Sequence, residues 1–294
     1  MDRRLFMASA GVLTTAGITP PLLAQTPAAG QRPFKIGLAL GAGAARGFAH
    51  IGVLKSLDQA GIKADVIAGT SAGSLVGVFY AAGFTPWQME DVALKVRDID
   101  VADIGSASKR GMFAGDALQK LVNGYVKNVP IESFKIPFAA VATDLRTGDM
   151  VLMRTGDAGQ AVRASCSIPG VFVPALVGGR ELVDGGLTSP LPVQAARQLG
   201  ADFVIGVDVG AKPQNPIQSG LYEVLLQSFE VMGRALTKAE SLQADFMIQP
   251  DNGRFSSTDF AVRKELIQSG YEATEAMLVR LKSALASART KRKS

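Results

Sequence analysis

Asp65-Val66-Ile67-Ala68-Gly69-Thr70-Ser71-Ala72-Gly73-Ser74-Leu75-Val76-Gly77-Val78-Phe79-Tyr80-Ala81-Ala82 is the stretch around which the rest of the chain is organised. The apolar run over 64–68 predicts a buried strand, and 74–82 reads as a helix of small and apolar residues that Gly83 stops. Between them lies Gly69-Thr70-Ser71-Ala72-Gly73, a G-x-S-x-G turn. Its two glycines permit a cramped strand-to-helix bend that exposes the Ser71 hydroxyl. The helix start behind it offers free backbone N–H groups to a developing oxyanion. Ser71 is therefore the candidate nucleophile, with Ala72 N–H a candidate donor.

Outward from this turn the pattern repeats. An apolar strand over 34–40 leads through Gly41-Ala42-Gly43-Ala44-Ala45-Arg46-Gly47 into an amphipathic helix that stops at Gly61. Strand, helix, strand, helix implies a parallel sheet. Thr85-Pro86-Trp87-Gln88 has the cap, first-turn proline and glutamine of another helix start, running to about 97. The period is lost over 98–115, either a flap or an ordinary surface loop. Further helices are expected over 116–126, 192–199, 221–242 and 260–285. Strands are expected over 136–143 and 150–154, joined by a hairpin-type turn, and over 181–183, 203–209 and 246–249. The apolar residues of 221–242 are expected to pack on the sheet. No repeat or second composition regime appears, so one domain over 31–288 is the economical reading.

Ser71 needs a group to take its proton, and the chain has one histidine, His50. It precedes the serine, whereas the α/β-hydrolase order places histidine last, so a triad of that kind is excluded by composition. His50 is assigned to helix packing or capping. The base must be a carboxylate or a lysine. Asp184 is the best candidate, because it closes a strand and is followed by Gly185 and Gly186, which allow close approach. A turn-forming aspartate in a tight hairpin is the alternative reading. Cys166, the sole cysteine, is expected to be a small buried hydrophobe and can form no intrachain disulfide.

The glycine loop has two readings. Gly41-x-Gly43 after a strand and before a helix approaches the dinucleotide fingerprint, with Asp58 and Asp65 near the distance of a ribose-binding acid. However, Arg46 stands where the third glycine belongs, and Gly47 arrives one residue late. A Walker loop is ruled out, since no G-K-S or G-K-T follows. The other reading makes the backbone N–H groups of Gly43 and Ala44 an anion cradle facing Ser71, with Arg46 anchoring the loop or adding positive field.

Composition bounds the rest. Of 294 residues, 47% are apolar and 19% charged, which is globular, and no internal run is long and pure enough to span a membrane. The formal charge of +5 is dispersed apart from Arg289, Lys291, Arg292 and Lys293, a basic tail over 289–294 read as mainly solvated, with weak contact to anionic lipid as its alternative. No motif or aromatic-interleaved basic patch suggests nucleic acid. Arg3-Arg4-Leu5-Phe6 before a weakly apolar stretch and a small-residue region resembles a twin-arginine export signal, an ordinary secretory signal or uncleaved anchor being the alternative. Residues 1–30 are accordingly set apart as signal and linker, and a periplasmic or secreted location is expected.

Taken in order, Gly41–Gly47, Gly69–Gly73 and Asp184-Gly185-Gly186 resemble the patatin-like phospholipase family. His50-Ile51-Gly52-Val53-Leu54, Ala142-Thr143-Asp144-Leu145 with Thr147-Gly148, and Ala164-Ser165-Cys166-Ser167-Ile168-Pro169-Gly170 fit it as well. The resemblance covers roughly 35–209, with Ala42 where many members carry a third glycine. It implies an α/β fold, a three-layer α/β/α sandwich with a mainly parallel sheet. It also implies lipid acyl hydrolysis by a Ser71–Asp184 dyad through an acyl-serine, with N–H groups of Gly41, Ala42, Gly43, Ala44 and Ala72 as the oxyanion hole. The expected substrate is a phospholipid or another lipid ester, with peripheral membrane contact; no cofactor and no metal are expected. A non-catalytic lipid-binding or regulatory protein on the same fold is the alternative.

Overall fold

Five short, mainly apolar runs form the middle of the molecule, and each is a parallel strand: β1 (Ile36–Leu40), β2 (Val66–Thr70), β4 (Phe138–Asp144) and β9 (Phe203–Val207), all fully buried, and the partly buried β10 (Phe246–Ile248). The structure is a computed structural model that describes residues 32–97, 100, 101, 103, 109–210 and 221–293. The expected export signal lies outside the described residues, as do residues 98, 99, 102 and 104–108 of the 98–115 segment. Described residues from Phe34 onward form a compact unit.

The parallel strands lie in the order β10-β9-β1-β2-β4. Three antiparallel strands extend the sheet: β5 (Met150–Met153), β7 (Ala175–Val177) and β8 (Arg180–Asp184). Because strand side chains alternate between faces, Leu38, Leu40, Ile67, Phe138, Ile205 and Val207 enter one core while Ala39, Val66, Ala68, Val141 and Val204 enter another. Helices on both faces make the three layers, as the resemblance implies. The larger core is covered by α1 (Ala49–Gln59), α2 (Ala72–Ala82), α3 (Pro86–Lys95), α4 (Asp116–Tyr125), α5 (Ala158–Ser165), α8 (Arg263–Glu275) and α9 (Leu278–Lys293). The smaller is covered by α6 (Val193–Gln198).

Helix α1 is held very close to α8. A Cβ on Gly52 would stand 1.8 Å from the Ile267 carbonyl oxygen, and one on Gly270 would stand 1.9 Å from that of Ala49, so only glycine allows the backbones this approach. The start of α3 is a full capping box between Thr85 and Gln88.

The register around β4 decides the site. β2 pairs with β4 up to Thr70 opposite Val141, and β8 pairs from Asp184 opposite Ala142. β5 pairs with β4 from Ala140 to Thr143 and so occupies its other edge. β2 and β8 therefore share one edge of β4 and run toward each other along it.

Four expectations change. Residues 260–285 are not one helix: α8 ends at Glu275 and α9 begins at Leu278. Gly111–Phe113, expected to be aperiodic, is a strand (β3) paired in parallel with β6 (Gly170–Phe172) and bringing Phe113 and Phe172 into ring contact. The basic tail is solvated only in part: Arg289, Thr290 and Lys291 are exposed, as expected, whereas Arg292 is half-buried. It is the end of α9, where the Arg292 guanidinium donates to Asp202 Oδ2 at 2.6 Å, and Arg289 and Arg292 both lie over the Phe34 ring. Finally, α7 (Leu221–Ser241) leaves Val231 and Met232 more than half exposed instead of burying them on the sheet.

Candidate active site

Loops from the carboxyl ends of β1, β2 and β9 meet where the chain order reverses about β1, which is where α/β sheets place their ligands. Ser71 stands at the β2–α2 junction with φ 52° and ψ −122°, a left-handed conformation costly for a residue with a Cβ. The bend survives because the neighbouring backbones lock it. A Cβ on Gly73 would lie 2.1 Å from the Leu40 carbonyl oxygen, and one on Gly69 would lie 2.4 Å from that of Gly73. Ser165 in α5 completes the support, accepting from Ser71 N–H at 2.9 Å while donating to the Val141 carbonyl at 2.6 Å.

Asp184 ends β8 beside this turn, 5% exposed like Ser71. Its Oδ1 accepts from Gly186 N–H at 2.7 Å, whereas Oδ2 has no hydrogen-bond partner among the described residues. Burial pushes the carboxyl up to about 6, and the adjacent Ser71 hydroxyl and Gly186 N–H offset only part of that rise. The hydroxyl is near enough to favour the carboxylate as a hydrogen-bond donor, yet no bond of normal geometry joins them, a looseness common before substrate binds. Asp184 is therefore a stronger base than an ordinary aspartate. Gly185 lets the chain pass against β4, since a Cβ there would lie 2.2 Å from the Val141 carbonyl oxygen.

The glycine loop divides into spent and free donors. Gly41 N–H donates to the Val207 carbonyl at 3.0 Å and Ala42 N–H to that of Pro190 at 2.8 Å, so neither is available to an oxyanion, contrary to expectation. Gly43 and Ala44 N–H make no bond among the described residues, nor does Ala72 N–H at the start of α2. Ala44 holds a left-handed φ of 48°. Gly47 lies against α2, where a Cβ would stand 2.3 Å from that of Ala72. Arg46 is buried and anchors the loop, donating to Glu230 of α7 at 2.8 Å. Of the two acids of the dinucleotide reading, Asp65 is engaged elsewhere, its Oδ2 accepting from Ile36 N–H at 2.7 Å at the opposite end of β1 from the loop, and Asp58 lies in the last turn of α1, away from the loop that precedes that helix.

Residues 38–197 match the family profile described as Patatin-like phospholipase. The chain belongs to the patatin-like phospholipase family. It is 39% identical over 186 residues to an uncharacterized NTE family protein of Mycobacterium tuberculosis, covering 62% of this chain and 51% of that one. It is 34% identical over 193 residues to the human patatin-like phospholipase domain-containing protein 6, covering 63% of this chain and 14% of that one. With a protein named lysophospholipase NTE1 of Coccidioides immitis it shares 31% identity over 294 residues, covering 84% and 18%. The chain thus spans about half the length, or less, of these relatives. Among solved structures, VipD of Legionella pneumophila superposes with a TM-score of 0.58 over 84% of this chain and 67% of that one at 13% identity, a likeness of fold.

Two residues of this patatin-like site, Ser165 and Glu240, were not singled out by the sequence. Ser165 lies in a quoted motif, but its bond to the Ser71 backbone crosses from α5 to the turn. Glu240 of α7 accepts from the Ser189 hydroxyl and, at 2.8 Å, from Leu191 N–H. It thereby holds a loop whose Pro190 carbonyl fixes Ala42 and whose Ser189 carbonyl accepts from Thr70 Oγ1 at 2.7 Å. Burial pushes Glu240 up to about 6. Cys166 packs partly buried against the larger core, in keeping with the expected small hydrophobe. Its thiol faces Ser74 Oγ at 3.9 Å, and burial and the Asp184 charge push it up to about 12, so it is no thiolate.

Proposed function

We propose that this chain is a serine lipid acyl hydrolase of the phospholipase A, lysophospholipase or esterase type, with Ser71 as nucleophile and Asp184 as base. One observation carries the reading: a serine on a strained strand-to-helix turn adjoins a buried carboxylate whose Oδ2 has no other partner. Family membership supports ester hydrolysis, and the loop supplies donors with no competing acceptor.

Asp184 Oδ2 takes the Ser71 hydroxyl proton as Oγ bonds to the ester carbonyl carbon. Negative charge moves onto the carbonyl oxygen, which Gly43, Ala44 and Ala72 N–H groups stabilise, together with the start of α2. Collapse breaks the bond to the alkoxide leaving group, which takes the proton back from Asp184. A water then gives its proton to Asp184 and attacks the acyl-serine. The fatty acid leaves, and the proton returns to Ser71. Positioning and the oxyanion donors supply most of the acceleration, because one carboxylate at a pKa near 6 is a modest base.

The substrate class follows from the family and is a phospholipid, lysophospholipid or related lipid ester, met at a membrane surface. Among the described residues no helix is long and apolar enough to cross a membrane. Export through residues 1–30, to the periplasm or outside the cell, belongs to the same proposal. A reporter fused to 1–30 is expected to leave the cytoplasm and to remain inside when Arg3 and Arg4 are both replaced by lysine.

The enzyme assay uses short-chain esters and lysophospholipid. Wild type is expected to turn over and to bind a fluorophosphonate covalently at Ser71. Ser71→Ala is expected to lose labelling, and both Ser71→Ala and Asp184→Asn to lose at least about a thousandfold in kcat. Activity retained by Ser71→Ala would overturn the nucleophile. Absence of labelling and turnover in wild type would favour a lipid-binding protein.

A further inference from the structure

His50 is the one histidine of the chain, and the reaction outlined above gives it no task. It is 0% exposed, in the first turn of α1, with its Nε2 2.8 Å from the Gly41 carbonyl oxygen. A carbonyl accepts only, so Nε2 carries the proton and donates, which leaves Nδ1 as a bare acceptor. That Nδ1 is buried with no partner among the described residues. An orphaned buried acceptor costs about 1–3 kcal/mol, which a leucine packed in the same place would avoid. Stability alone therefore does not explain the imidazole. Its donor bond is the feature that a packing residue would lack.

The bond falls on a particular peptide. Between Gly41 and Ala42 the carbonyl accepts from His50 and the N–H donates to the Pro190 carbonyl at 2.8 Å. Both edges of that peptide plane are thus fixed. Just downstream, Arg46 N–H donates to the Gly43 carbonyl and Ala45 N–H to the Ser257 carbonyl, each at 3.0 Å. The intervening donors, Gly43 and Ala44 N–H, are those left unbonded, and they span the gap between two clamped ends. Ala44 is held there at a left-handed φ of 48° that alanine would leave if the loop relaxed. His50 itself stands on a rigid mount, because α1 is locked to α8 at Gly52 and Gly270.

We propose that His50 is a positioning residue for the oxyanion hole: through Nε2–H it fixes the Gly41–Ala42 peptide so that the free N–H groups of Gly43 and Ala44 aim at the developing oxyanion. Burial lowers its pKa to about 4 despite the Gly41 bond, so the ring remains neutral and keeps this single donor throughout the working pH range. The inference rests on Ser71 being the nucleophile, and it assigns His50 no part in proton transfer.

The test compares His50→Gln with His50→Asn, beside wild type and Ser71→Ala. The glutamine amide nitrogen reaches about where Nε2 stands; that of asparagine falls short, near Nδ1. For His50→Asn, kcat on a short-chain ester is expected to fall about a hundredfold, as when one oxyanion donor is lost, with KM within about threefold. Affinity for an acyl trifluoromethyl ketone, which forms an oxyanion on Ser71, is expected to fall in parallel. His50→Gln is expected to recover at least about tenfold of the loss, and the acid limb of kcat/KM is expected to stay in place in both variants. Circular dichroism and melting temperature confirm that each folds. Should both variants match wild type, or fall equally in kcat and in ketone affinity, positioning is overturned. A displaced acid limb would make His50 a proton acceptor instead and likewise overturn it. Activity in Ser71→Ala would defeat the underlying hydrolase reading, whereas an inactive Ser71→Ala beside unaffected His50 variants would defeat this inference alone.

Discussion

Ser71 and Asp184 terminate two strands that run toward each other along one edge of β4: β2 stops at Thr70 opposite Val141, and β8 stops at Asp184 opposite Ala142. Consecutive positions of a third strand therefore bring together two residues far apart in the chain. Side chains at the facing ends of two such strands adjoin without any loop having to carry them. This places the proposed nucleophile and base on rigid elements, the arrangement that holds catalytic geometry best.

The pH dependence of turnover follows from the burial of Asp184. A base acts when deprotonated, and burial holds this carboxyl at about 6 rather than near 4. The acid limb of kcat/KM is expected to rise through about pH 6 and to disappear with the residual activity of Asp184→Asn. A limb at pH 4 in a pH–rate profile would mean that Asp184 does not limit the reaction.

The same burial predicts a stability gain from an inactivating substitution. Asp184 has a folded-state pKa above its unfolded value of 3.8. The burial of the neutral acid is fully tolerated below about pH 4, and stability is lost as pH rises through about 6, where the native state must hold a buried charge. Asparagine can still accept from Gly186 N–H and carries no charge. Asp184→Asn is expected to melt a few degrees above wild type at pH 8 and about equally at pH 4, read by calorimetry.

The elbow tolerates no side chain at its second glycine. Gly73→Ala places a Cβ 2.1 Å from the Leu40 carbonyl oxygen, which is backbone at the centre of the sheet and cannot yield cheaply. A loss of at least about 2 kcal/mol in urea unfolding is expected, together with loss of fluorophosphonate labelling in whatever protein folds.

The end of the chain contributes to stability. Arg292 bonds to Asp202, which also accepts from Lys35 N–H at 2.9 Å, so the last turn of α9 is pinned where β1 and β9 begin. Deletion of 289–294 is expected to lower the melting temperature by a few degrees and to leave kcat within about twofold. A truncation that melts like wild type would mean that the Arg292–Asp202 bond contributes no measurable stability.

Local pattern carried much of the fold. The Thr85–Gln88 cap, the Gly61 and Gly83 stops, and the parallel character of β1, β2 and β9 depend on residues adjacent in the chain, and all were legible. The division of α8 from α9 was not, since apolar spacing continues across the break at Ala276 and Met277. Gly111–Phe113 was missed because a three-residue strand has too few positions to show alternation. At the site, motif order pointed to Ser71, Asp184 and the loop. It could not tell Gly41 and Ala42 from Gly43 and Ala44, because the acceptors that consume the first pair, on Val207 and Pro190, lie at the far side of the sequence.

The sequence by itself determined that Ser71 sits on a strand-to-helix turn, that one histidine preceding it excludes the familiar triad order, and that three ordered glycine-bearing motifs point to one family. Each follows from composition or from residues within a few positions of one another. Only the tertiary structure decided that Asp184 abuts Ser71 along β4, that its carboxyl is buried with a raised pKa, and that the unbonded donors of the glycine loop are Gly43 and Ala44. The physical reason is that strand register, desolvation and the competition for hydrogen-bond acceptors are set by segments that meet only when the chain has folded.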